Sequence, residues 1–79
     1  PQLERAFIYL GRSLVFVANP DNYPEAESVL LRGIELDLPS SLLPMAHSTL
    51  AELYRRTGRS IQAVRHQALA DEAQRALGR

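Results

Sequence analysis

Leu3, Phe7, Leu10, Leu14 and Val17 recur at steps of four and three, one face of an α-helix. Ala6, Ile8 and Val15 widen that apolar arc, so the pattern predicts a helix from about Leu3 to Val17, ended by the turn formers Asn19-Pro20-Asp21-Asn22. A second helix is predicted near Pro24, because proline suits a first helical turn whose N–H has no partner. Glu25 and Glu27 add negative charge at its positive end. Its expected buried face is Ala26, Val29, Leu30, Gly33 and Ile34, with Leu36 or Leu38, and Pro39 stops it.

Ser40 or Ser41 is expected to cap a third helix with Pro44 in its first turn. Its apolar positions are Leu43, Ala46, Leu50, Leu53 and Tyr54, and Arg55 and Arg56 suit the negative end of its dipole. Gly58 supplies the left-handed residue that ends it. Ser60 is expected to cap a fourth helix with an apolar face of Ile61, Val64, Ala68, Leu69, Ala73, Ala76 and Leu77. No segment alternates with period two, so the fold class is all-α with four helices.

Composition narrows the function. Seventy-nine residues make one small domain, with a marginal core unless neighbours help. Zero net charge argues against a general nucleic-acid binder, and without cysteine neither disulfides nor thiolate-bound metals arise. The charge is nonetheless divided. Residues 1–39 hold three arginines against six acids, −3; residues 40–79 hold six against three, +3. An acidic and a basic half are compatible with head-to-tail association. The longest strongly apolar stretch, Leu14 to Ala18, falls far short of the ~20 residues of a membrane helix. A start at Pro1 rather than Met suggests a piece of a longer protein. The compartment cannot be read; a cytoplasmic setting is the working expectation.

The stretch Leu50-Ala51-x-x-Tyr54-x-x-x-Gly58-x-x-x-x-Ala63, with Ala70 seven residues on, resembles the tetratricopeptide repeat. The first half carries a related pattern. Phe7-x-x-Leu10-Gly11-x-x-Leu14 matches the first helix of such a unit, Ala26-x-x-x-Leu30 and Gly33 match the second, and Ile34 to Pro39 closes it. The two units run over about residues 2–39 and 41–77. Leu10 and Leu50 are 40 residues apart, against a family period of roughly 34. Three extra residues sit in the Val17–Asn22 loop and three in the Leu38–Leu43 linker, where insertion costs little closure entropy. The second unit departs further: His47 stands for the large aromatic, Gln67 for an apolar residue, and no proline closes it. The resemblance implies two antiparallel helix-turn-helix hairpins stacked as an α-solenoid fragment. An unrelated four-helix bundle is the alternative.

Catalytic chemistry is absent from the sequence. There is no H-E-x-x-H, G-x-S-x-G or phosphate-cradling glycine loop, and the two histidines lack acids at helical spacing. No enzyme activity, cofactor or metal is expected. The resemblance implies a concave groove lined by the first helix of each unit. Carried over, its lining is Arg5, Ile8, Arg12, Val15 and Phe16, then Met45, Ser48, Glu52, Arg55 and Arg56. Ile8, Val15 and Phe16 are not needed for packing within one hairpin on this expectation. Either they form a groove for a protein or peptide, with Arg12, Arg55 and Arg56 holding carboxylates, or they pack on a neighbouring repeat or a second copy. The family's chaperone-tail-binding members use a Lys/Asn clamp. Here Ile8, Arg12 and Thr49 stand at those positions, so that activity is not expected. The functional expectation is a protein–protein interaction module, with no nucleic acid and no membrane within this segment. A self-association element, or a regulatory segment of an enzyme lying outside the chain, is the alternative.

Overall fold

The computed structural model describes residues 3–17, 19–36 and 38–78. Gln2, where the first unit is expected to begin, and Asp37, within its closing segment, lie outside them. Four α-helices and two short 3-10 turns make up the described residues, with no strand among them: α1 (Leu3–Phe16), a turn at Pro20–Asn22, α2 (Tyr23–Glu35), a turn at Ser40–Leu42, α3 (Leu43–Arg56) and α4 (Ser60–Leu77). The all-helical expectation holds. α1 packs on α2 and α3 on α4, and α3 also packs against both helices of the first pair.

Helix ends follow local chemistry. The Asn19 side chain accepts from the Asp21 N–H and starts the first turn; Pro24 lies in the first turn of α2 and Pro44 in that of α3. Gly58 adopts φ +74°, as expected of the residue that ends α3 without a Cβ clash. The expected serine caps are not formed. Ser40 and Ser41 belong to the 3-10 turn and α3 has no side-chain cap. Ser60 is the first residue of α4, behind an uncapped Arg59.

α3 is the central helix, and Ala46, Thr49, Leu50, Ala51, Leu53 and Tyr54 are all buried. A continuous core joins Ala46, Leu50, Leu53 and Tyr54 to Ile8, Val15, Ala26 and Leu30 of the first hairpin, Leu38 and Leu42 of the linker, and Ala63 of α4. Fully burying a side chain of the size of Ile8, Leu30, Leu50 or Leu53 stabilises by about 1.5–3 kcal/mol.

α1 departs from the sequence expectation. Its buried positions are Ile8, Gly11 and Val15, whereas Leu3, Leu10 and Val17 are about half exposed. Gly11 is the reason. A Cβ there would meet the Leu30 side chain, so the bare glycine lets Leu30 press on the α1 backbone and turns the Gly11 face inward. Gly33 likewise receives Ile8, whose Cδ1 would stand 2.8 Å from an added Cβ. In α4 the two alanines of the repeat-like pattern, Ala63 and Ala70, are the buried residues, and the departure is at Ile61 and Val64, which are largely exposed.

Candidate functional site

The two hairpins are joined through Glu27. Its carboxylate accepts from the Tyr54 hydroxyl at 2.9 Å and from Arg59 Nη1 at 2.8 Å. The arginine, then the tyrosine, hold this carboxyl below the usual glutamate range, against opposing desolvation. Burial first, and the Glu27 carboxylate second, push the Tyr54 phenol up to about 12. The Arg59 guanidinium lies 4.4 Å from the Tyr54 ring centre, Tyr54 lies beside His66, and His66 stacks on His47. Planar groups from α3, α4 and the loop between them thus form one run along the joint. The sequence marks Glu27 only as a helix-start charge, because its partners lie 27 and 32 residues away.

Arg56 makes a second joint. Its Nη1 donates to the Val15 carbonyl at 2.6 Å, satisfying one of the last carbonyls of α1 from a different helix. Its Nε bonds Glu52 at 2.8 Å, and its guanidinium lies 5.2 Å from the Phe16 ring centre. Arg55 also pairs with Glu52, at 2.9 Å. Both arginines keep the Glu52 carboxyl below its ordinary range, Arg55 contributing most. Arg56 is therefore an internal strut before it is a ligand-binding cation.

Nine of the ten expected groove residues separate into three groups. Ile8 and Val15 are fully buried between the helices and are unavailable to any partner; the expectation that one hairpin does not need them is corrected by the Gly11–Leu30 contact that turns them inward. Arg12, Met45 and Ser48 come together in one shallow concavity with Gln67, Asp71 and Gln74 of α4. Glu52, Arg55, Arg56 and Phe16 form the ion-pair and cation–π cluster at the other end of α3. Arg5, the tenth, is half-buried and joins none of the three. Thr49 is buried and donates to the Met45 carbonyl, so it faces no groove.

Two further open surfaces bear on partner binding. One is the α1 stripe of Leu3, Leu10 and Val17, beside half-buried Phe7 and Leu14. The other is a concavity on the α3–α4 hairpin lined by Arg55, Ala63, Val64, Gln67, Ala68 and Asp71. What separates the α1 stripe from a core face is Gly11, whose missing side chain lets Leu30 approach the opposite face. No cluster of three or more metal-ligating side chains occurs among the described residues, and none of their helices is long and apolar enough to cross a membrane. Neither family models, nor curated proteins, nor solved structures give a match to this chain.

Proposed function

We propose that this chain is a non-enzymatic protein-interaction module, two tetratricopeptide-like hairpins stacked as a short α-solenoid, and that the outward stripe of α1 is a surface that a polypeptide partner covers. One observation carries the proposal. Leu10 is 45% exposed, whereas its counterpart 40 residues on, Leu50, is fully buried. The neighbouring counterparts agree: Ala6 is exposed and Ala46 buried, Leu14 half-buried and Tyr54 buried. In the second hairpin this face is closed by the first hairpin; in the first, nothing among the described residues closes it.

Paired hairpins of related pattern support the repeat reading. Ala26 and Gly33 are buried in α2 and Ala63 and Ala70 in α4, at the same spacing of seven, and Gly11 and Ala51 hold matching buried positions in α1 and α3. About three such units are normally needed for independent stability, so two units gain from a neighbour. A photoreactive residue at position 10, irradiated in native extract, tests the proposal. Adducts with a second polypeptide that vanish when Val17→Asp, on the exposed stripe, is added are expected. Irradiation that yields only uncrosslinked chain overturns it.

A further inference from the structure

The concavity on the α3–α4 hairpin stands in register with the place on the first hairpin where α3 packs. A shift of 40 residues in the first helix and 37 in the second carries Val15 to Arg55, Ala26 to Ala63, Glu27 to Val64, Leu30 to Gln67 and Ile34 to Asp71; Leu31, carried to Ala68, lies at the exposed margin. The same shift carries the α1 stripe onto the face with which α3 packs on the first hairpin: Leu10 to Leu50, Leu14 to Tyr54, Phe16 to Arg56. One end of the molecule therefore bears a helix face equivalent to the one that docks, and the other end bears the equivalent of the place where it docks.

We propose that copies of this chain associate head to tail, the α1 stripe of one copy seating in the α3–α4 concavity of the next as α3 seats on α1–α2 within the chain. The inference rests on the protein-interaction reading and names a second copy as the partner. Three observations select that occupant. First, the pairs match after the shift. Inside the chain, Tyr54 bonds Glu27; between copies, the equivalent pair is Leu14 against Val64, and both members have become apolar together. Second, Arg56 lies over Phe16 inside the chain. Between copies, the equivalent pair is the second copy's Phe16 against Arg56, the same two groups with their places exchanged. Phe16 is 52% exposed, and Arg56 keeps a third of its side-chain surface open. Third, the charge is divided −3 and +3 between the halves. The division favours head-to-tail order through the halves as wholes, since the α1 head itself carries Arg5 and Arg12 against Glu4, whereas a two-fold head-to-head pairing sets like halves beside like.

The seat also fixes the strength of the contact. Arg55, Gln67 and Asp71 replace Val15, Leu30 and Ile34, leaving Ala63, Val64 and Ala68 as the apolar centre. Association between copies is accordingly weaker than the internal joint, reversible and weakened by salt. Because the contact is heterologous, it does not saturate at a dimer unless a ring closes.

Sedimentation equilibrium of three samples tests this: wild type, the head variant Leu10→Asp, and the seat variant Val64→Asp. Both substitutions fall on exposed side chains, and far-UV circular dichroism verifies the fold of each. Wild type is expected to gain mass steadily with concentration, and each variant alone to stay monomeric. An equimolar mixture of the two should reach twice the monomer mass and stop there, because only one intact head and one intact seat remain to pair. Wild type that stays monomeric to about 1 mM, or a mixture that stays monomeric, overturns the inference. Adducts at position 10 with a different polypeptide would then still support the interaction module, so the two failures are separable.

Discussion

Nδ1 of His47 on α3 lies 3.0 Å from Nδ1 of His66 on α4, with the ring centres 5.2 Å apart. At that distance one nitrogen donates and the other accepts, so the contact requires a bare nitrogen on one ring. Burial first, then the charge of His66, holds His47 below the ordinary histidine value of 6.5; burial and Arg65 do the same to His66, opposed by Glu27. As pH falls below 6.5 the unfolded imidazoles take up protons before the folded ones do. Stability that is complete above that value is therefore lost as pH falls toward the folded values. Urea midpoints are expected to be lower at about pH 5.5 than at about pH 7.5, and a His47→Gln, His66→Gln double variant should flatten that slope. An unchanged slope in the double variant contradicts the assignment.

Gly11→Ala should destabilise the chain although alanine favours helix. The added methyl would stand 2.7 Å from Leu30 Cδ2 and closer still to its Cγ, and Leu30 is fully buried. Overpacking of this kind costs about 1–3 kcal/mol, set against a helix gain of about 1 kcal/mol. Gly33→Ala first meets Ile8 Cδ1, the end of a side chain, and is expected to lose less. Equilibrium urea unfolding ranks the two; a Gly11→Ala chain more stable than wild type contradicts the packing.

Tyr54→Phe removes the hydroxyl that Glu27 accepts from and is expected to cost about 1 kcal/mol. In wild type, one tyrosinate step at 295 nm should appear only near pH 12, and Tyr54→Phe should delete it. A folded pKa raised above the unfolded value of 10.0 means that stability falls as pH rises through that interval. On the acid side the sign is reversed. Glu27 and Glu52 are both held below 4.5, so their stabilisation is present above that value and lost as pH falls through the folded pKa values.

Arg56→Gln should loosen the end of α1 from a position 41 residues away, because Arg56 caps the Val15 carbonyl. Hydrogen exchange is expected to quicken in the last turn of α1 more than in α4. Equal acceleration in both helices would mean a global effect and no cap.

The helices themselves were legible, because periodicity, prolines and Gly58 act within a few residues. The inward face of α1 was not. Leu3, Phe7, Leu10, Leu14 and Val17 make the more regular stripe, but helix rotation is decided by the neighbour, and Gly11 against Leu30 fixes it. In α4 the inward positions were legible from the repeat-like pattern, whose small residues Ala63 and Ala70 are the buried ones, while the larger Ile61 and Val64 of the apolar periodicity stay outside. In the candidate site, Arg12, Met45 and Ser48, expected along a groove, line one concavity. Glu27 and the two histidines were not, since their partners lie on other helices and no local spacing signals them.

Leu10 and Leu50 test the central claim most directly, that the first hairpin leaves open the face that the second one buries. Equilibrium urea unfolding of Leu10→Asp and Leu50→Asp gives the comparison. A charge at fully buried Leu50 should cost roughly 4 kcal/mol or abolish folding, while Leu10→Asp should stay within about 1 kcal/mol of wild type. Comparable, large losses from both would place Leu10 in the core and contradict the outward stripe.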